Sequence, residues 1–225
     1  MMSKFVQIAE GLYGFMETTT SERSATYLLV GSSRAVLFDA GTGLDNIRSM
    51  VAQITDLPIT VILSHWHHDH VGGAHGFDDV IAWQSPATKQ LQQVGISNEV
   101  VSELSGKNYA GLVGSVAPLP RLRLMNSTQR IDLGGLVVDV IHTPGHTEDS
   151  LCLSVAQHGW LFTGDTLYDG PLYLGSVDSS IGDYRHSIGR LLNLPVRRVF
   201  PGHNNLEIDP EFLSSVHNQL NEVKW

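Results

Sequence analysis

The chain has 225 residues, 42% of them hydrophobic and 16% charged, enough to bury a sizeable core as one domain spanning residues 1–225. Its formal net charge of −9, from 14 basic and 23 acidic residues, argues against nucleic acid as a partner, because phosphates demand a basic footprint. No apolar run approaches the ~20 residues of a membrane helix, the stretch from Met1 to Gln7 carries no apolar signal region, and a lone cysteine, Cys152, excludes an internal disulfide. Together these point to a cytoplasmic protein with no membrane partner.

Short strands are predicted at Val6 to Ala9, Leu12 to Met16, Thr26 to Val30 and Ala35 to Phe38. The last ends at Asp39 in the tight turn Ala40-Gly41-Thr42-Gly43, and a helix follows with Leu44, Ile47, Met50, Val51 and Ile54 on one face. Val61 to Leu63 reads as a short buried strand that delivers the run Ser64-His65-Trp66-His67-His68-Asp69-His70. Four histidines and an aspartate in seven residues have little structural use, since imidazoles with nothing to bind cost stability when buried. Neutral imidazole and carboxylate are natural ligands for zinc and similar divalent ions. In an extended segment His65 and His67 point the same way and can grip one ion, after which a turn brings Asp69 and His70 round to a second.

Val80 to Trp83 is a further strand, and Pro86 opens a helix with Leu91 and Val94 inward. Ser97 to Pro120, with its glycines, prolines and Tyr109, reads as a loose helical insertion, a lid or pocket wall. Strands resume at Leu136 to Ile141, Leu151 to Val155 and Trp160 to Phe162, followed by a helix over Asp183 to Leu192. A strand at Arg198 to Phe200 and a helix from Pro210 to Val223 close the chain. Cys152 falls in an alternating strand pattern and reads as a small buried hydrophobe. Three of the later strands end in glycine-containing turns that carry a ligand type: Thr143-Pro144-Gly145-His146, Thr163-Gly164-Asp165-Thr166 and Pro201-Gly202-His203. Strands with helices between them imply packed sheets covered by helices, an α/β layered sandwich.

The order HxHxDH, then His146, Asp165 and His203, resembles the metallo-β-lactamase-fold hydrolase superfamily over essentially the whole chain. The resemblance implies a four-layer αβ/βα sandwich with a metal pair at one edge of the two sheets. It implies that His65, His67 and His146 hold the first ion, that Asp69, His70 and His203 hold the second, and that Asp165 bridges them. Asp39 matches an acidic position of the family and reads as a group that orients a ligand or the turn. The ions expected are zinc, with iron or manganese as substitutes. His68, between ligand positions, is expected to point away, and His75, His142, His158, His186 and His217 are expected to be bystanders.

A metal pair ~3.5–4 Å apart can hold a hydroxide and lower its pKa toward neutrality, so no serine or cysteine nucleophile is needed. The expected catalytic residues are Asp69, which would orient that hydroxide, and Tyr168, three residues past Asp165, where similar lactonases aim a phenol at the substrate carbonyl. The reaction expected is attack on an activated acyl bond of a small-molecule substrate, thioester or lactone. No matched residue is an obvious general acid, and a thiolate, with a pKa near ~8.5, departs without one. The stretch from Asp169 to Tyr184 also resembles the acyl-coenzyme-A thioesterase branch. Hydroxyacylglutathione hydrolases are similar in their ligand set but carry a longer basic carboxy-terminal region, whereas 22 residues follow His203 here. The alternatives are a persulfide dioxygenase-like iron oxidoreductase, a β-lactamase, a phosphodiesterase of the same fold, and a metal-binding protein without catalysis. Thr18 to Ser24, Ser97 to Pro118 and Gly170 to Asp183 are the expected pocket walls.

Overall fold

The computed structural model describes residues 4–222; the reading of Met1–Ser3 and the expected last helical residue, Val223, fall outside them. β1 (Val6–Ala9), β2 (Leu12–Met16), β3 (Ala25–Val30), β4 (Ala35–Phe38), β5 (Ile59–Ile62), β6 (Val80–Trp83) and β7 (Arg123–Met125) form one sheet in chain order. β1 to β4 pair antiparallel and β4 to β7 parallel. The second sheet runs β12-β11-β10-β9-β8, built from β8 (Gln129–Asp132), β9 (Val137–His142), β10 (Leu151–Val155), β11 (Trp160–Gly164) and β12 (Arg198–Pro201). Only β11 and β12 pair parallel there.

Alternation along the strands sorts side chains between layers, because successive residues point to opposite faces. In β4, Val36 and Phe38 join the core between the sheets, while Ala35 and Leu37 face the outer helices. In β11, Trp160 and Phe162 point inward between the sheets and Leu161 points out. Helices α1 (Ile47–Ala52), α3 (Pro86–Gln93), α4 (Asn98–Ser105) and α5 (Lys107–Val113) cover the first sheet through Ile47, Val51, Leu91, Val101 and Tyr109. The short α2 (His68–Val71) lies in the histidine-rich run. Helices α6 (Ile181–Leu191) and α7 (Glu211–Glu222) cover the second sheet through Ile188, Leu191, Leu213 and Val216. The result is the expected four-layer sandwich, with sheets of seven and five strands between two helical layers.

Several expectations are corrected in detail. Leu44 is exposed and precedes α1, and Val94 is 69% exposed because α3 ends at Gln93, ahead of Gly95 with its φ of 87°. The insertion is not loose: α4 and α5 are packed helices, joined at Gly106. β7 and β8 are absent from the sequence reading; they are three and four residues long, β7 with one arginine before Leu124 and Met125 and β8 largely polar, and both lie at the edges of their sheets. Among the described residues no helix is long and apolar enough to cross a membrane.

Candidate metal centre

Five strands end on the same edge of the sandwich, and each hands one or more polar side chains to it. β4 is followed by Asp39, β5 by His65 to His70, β9 by His146, β11 by Asp165 and β12 by His203. All seven expected ligand residues are buried there, none more than 8% exposed. Their ligand atoms fall into two sets, each within 4.8 Å: His65, His67, His146 and Asp165 in one, Asp69, His70 and His203 in the other. Asp165 links them, its Oδ2 lying 3.6 Å from His146 Nε2 and 3.1 Å from His203 Nε2, and its Oδ1 3.2 Å from His70 Nε2.

The outward nitrogens of three of the imidazoles are fixed by hydrogen bonds to a carboxylate or a carbonyl. His146 Nδ1 donates to the Tyr173 carbonyl at 2.7 Å, and His203 Nδ1 donates to the Glu22 carbonyl at 2.7 Å. His70 Nδ1 donates to Asp39 Oδ2 at 2.8 Å, while Asp39 Oδ1 accepts the Ser64 backbone N–H at 2.6 Å. Such bonds select the tautomer that leaves Nε2 a bare lone pair. Yet His70 Nε2 lies 3.2 Å from His203 Nε2, and His146 Nε2 lies 3.2 Å from both His65 Nε2 and His67 Nδ1. Lone pairs and carboxylate oxygens facing one another at these distances repel unless cations lie between them. Asp165 Oδ1, buried without a hydrogen-bond partner, adds to the demand. The residues fit divalent cations.

Charge balance agrees. Burial opposes ionisation of Asp69 and Asp165, but neighbouring histidines outweigh it and hold both carboxyls well below their ordinary range. Burial likewise disfavours charge on His70 and His203, but Asp69 and Asp165 outweigh it, raising His70 well above its ordinary value and His203 to about 9. In the first set burial dominates, aided by neighbouring imidazoles, and keeps His65 and His67 well below theirs.

Glycine is required at two of the turns. A Cβ on Gly202 would sit 2.5 Å from Asp165 Oδ1, and one on Gly145, whose φ is 147°, would sit 2.3 Å from the Tyr184 Cα. Asp39 itself has a φ of 65°, in the left-handed region that aspartate and asparagine tolerate best among residues with a side chain.

Tyr168 lines the cavity over the centre with its ring 5.3 Å from that of His203. Its hydroxyl donates to the Pro171 carbonyl at 2.7 Å and accepts the Tyr173 N–H at 3.1 Å, so a bond to substrate requires the Pro171 contact to be exchanged. His68, expected to point away, belongs to neither ligand set but is buried rather than solvated: it is 1% exposed, its ring lies edge-on to Tyr109 at 5.1 Å, and neither nitrogen has a partner. The other histidines make local contacts, His142 stacking on Trp83 and donating to the Glu148 carbonyl, His158 stacking on Trp160. Cys152 is fully buried, accepts a hydrogen bond from Thr143, and is pushed by burial to about 11. Sequence reasoning missed the Tyr173 and Glu22 carbonyls that orient His146 and His203; main-chain acceptors leave no trace in residue identity.

The cavity of about 240 Å³ over the centre is walled by Ser21 and Glu22, by Leu104 and Ser105 of α4, and by Tyr168 and Tyr173. Each of the three expected wall segments contributes to it.

Comparison with known proteins places this arrangement. The "Acyl-coenzyme A thioesterase MBLAC2" of Gallus gallus is 29% identical over 222 residues, covering 88% of this chain and 79% of its own length. The Homo sapiens protein of the same name is 28% identical with similar coverage. An "Atrochrysone carboxyl ACP thioesterase" of Aspergillus fumigatus is 27% identical over 79% of this chain and half of its own length. An archaeal metallo-beta-lactamase superfamily protein from Sulfolobus tokodaii superposes with a TM-score of 0.75 at 21% identity, covering 95% of this chain and 87% of its own, which speaks to fold alone. The profile of the metallo-beta-lactamase superfamily itself matches residues 20–203, from the loop before β3 to the last histidine of the second set, and this chain belongs to that superfamily.

Proposed function

We propose that the chain is a dinuclear metal-dependent hydrolase of activated acyl bonds, with thioesters as the favoured substrates and lactones next. The single observation that carries this reading is the convergence of seven buried side chains into two ligand sets linked by Asp165. His65, His67 and His146 would hold one divalent ion and Asp69, His70 and His203 the other, with Asp165 between, and zinc is the ion we expect. Such a pair supplies Lewis acidity toward a carbonyl oxygen and a water ionised near neutral pH.

The protein's own contribution is positional. Asp39 and the Glu22 and Tyr173 carbonyls fix the ring orientation of three imidazoles before any substrate arrives. Asp69, whose Oδ2 lies 3.3 Å from His70 Nε2 and 3.5 Å from His203 Nε2, would accept a hydrogen bond from the attacking water and orient it. The sandwich edge and the α4 wall keep the site concave, which limits bulk water around the reacting carbonyl. The thioester preference has two supports. Three of the relatives, similar over 79% to 88% of this chain, carry thioesterase names. A thiolate leaves without a general acid, and none faces the centre in an established role. A complete second set weighs against a single-iron dioxygenase, which has no use for Asp69 and His203 as a pair.

The test is a hydrolysis panel on zinc- and manganese-loaded protein with acyl thioesters, lactones, cephalosporins and phosphodiesters. Thioesters should turn over fastest, with activity lost in Asp165→Ala together with one or both bound ions. Turnover of phosphodiesters alone would overturn the proposal.

A further inference from the structure

A second cavity, of about 510 Å³, adjoins the metal cavity and shares Leu104 and Tyr173 with it. Its size falls within the range of small-molecule sites. Trp66 and Tyr173 form the partition. The Trp66 ring lies 4.7 Å from that of His67 and the Tyr173 ring 6.2 Å from that of His146, so the cavity abuts the first ligand set. Beyond them the wall is apolar, with Ile96, Val100 and Val177, the last fully exposed. Its charged residues are all acidic: Glu103 on α4, Glu148 after His146, and Asp178 in the loop before α6.

These three carboxylates share one cavity with no basic side chain in its wall to balance them. Asp78, Asp79, Asp139 and Glu207 each pair with an arginine, whereas Glu103, Glu148 and Asp178 meet no basic side chain within 4.0 Å among the described residues. No lysine or arginine lines either cavity. Asp178 Oδ2 accepts the Trp66 indole N–H at 3.1 Å, which fixes the ring, and its Oδ1 is buried without a partner. Behind this wall burial raises the carboxyl of Asp149, and the negative charges of Asp178 and Glu148 help push it to about 8. Unbalanced negative charge beside fixed aromatic faces favours a cation, and best a weakly hydrated one that can use both.

Building on the proposed hydrolase activity, we propose that this cavity receives the acyl portion of the substrate and selects acyl groups bearing an ammonium, above all a quaternary ammonium. The acyl carbonyl would lie on the His65–His67–His146 side, the apolar wall would cover the methylenes, and Glu103, Glu148 and Asp178 would face the cationic end.

Two measurements test this separately from the hydrolase reading. The first compares thioesters of one thiol whose acyl chains of equal length end in methyl, carboxylate or trimethylammonium. The expected kcat/KM is at least tenfold higher for trimethylammonium than for methyl, with carboxylate lowest, and the first ratio should shrink at least threefold in E103Q/E148Q. The second titrates metal-free protein with hexyltrimethylammonium or hexanoate and follows tryptophan fluorescence. Saturable quenching is expected with the cation alone and should be lost in Trp66→Phe. Failure to hydrolyse any thioester would refute the hydrolase reading, and the titration would still decide the subsite. A methyl- or carboxylate-ended chain preferred or equal to the cation, or equal binding of hexanoate, overturns the subsite.

Discussion

Replacing Asp39 with asparagine separates the electrostatics of the centre from its backbone geometry. The residue sits at φ 65°, where an alanine would incur ~1–2 kcal/mol of left-handed strain that asparagine largely escapes. In Asp39→Asn the side-chain oxygen can still accept the Ser64 N–H, the shorter of the two native bonds. The amide NH2 then faces His70 Nδ1, and a donor there drives the imidazole proton to Nε2, the atom directed at His203, Asp69 and Asp165. A proton on Nε2 blocks ligation. Loss of a group that orients a ligand typically weakens metal affinity ten- to a hundredfold, about 1.4–2.7 kcal/mol. The loss should fall on one ion, since Asp39 touches His70 and none of His65, His67 or His146. Competition of the protein with a chromophoric chelator for zinc resolves the two affinities. The expected result is a weaker second site and a first site within threefold of the wild type. Equal weakening of both sites, or of neither, refutes the assignment of Asp39 to His70 and of His70 to its own ion.

Gly202→Ala places a Cβ 2.5 Å from Asp165 Oδ1 and 2.7 Å from the Gly164 carbonyl carbon, so it should release metal and activity together; full metal content, read by atomic absorption, would contradict this. His203 has its pKa raised in the metal-free fold from 6.5 to about 9, so its contribution to stability is complete below ~6.5 and is lost as pH rises through about 9. Melting temperatures of metal-free protein should accordingly fall between those limits, while the zinc form, having released the proton, should not show that fall; a flat metal-free profile would count against the coupling. Tyr168→Phe removes two hydrogen bonds within the loop and should cost ~1–2 kcal/mol of stability with less than tenfold loss in kcat, whereas a thousandfold loss in kcat at unchanged metal content would return the phenol to the substrate carbonyl.

The sequence made the candidate ligands legible because each lies in a short local pattern with no competing structural purpose. The run from His65 to His70 follows an apolar strand, and His146, Asp165 and His203 each follow a strand and a glycine. Strand alternation made the layers legible for the same reason, as β4 and β11 show by dividing their residues between two cores. What failed were features set by distant chain segments. Val94 looked inward on a helical period, but the helix stops one residue earlier. β7 and β8 carry little apolar pattern, because they gain their place from pairing with β6 and β9. His68 has the same residue type as its neighbours, and only the fold of α2 under Tyr109 buries it.

That division bears on how specificity is built. Groups that would bind metal follow the strand ends of the two sheets, and the second nitrogens of His70, His146 and His203 are tied to Asp39 or to main-chain carbonyls and that of His65 to the Ser64 hydroxyl, so their geometry leaves little to vary. The other walls of both cavities come instead from α4 and the loop from Tyr168 to Asp178, joined by the turn before β3 over the centre and by α3 and Ile96 around the second cavity. Changing Glu103 or Val100 would alter what faces the acyl chain without touching a candidate ligand, and Asp178 is linked to the centre through Trp66. Tyr173 is the exception. Its carbonyl holds His146 while its ring lines both cavities, so the loop proposed to select the acyl group also positions one imidazole of the first set. A substrate that displaces this loop would loosen His146, which couples fit in the second cavity to the order of the reacting centre.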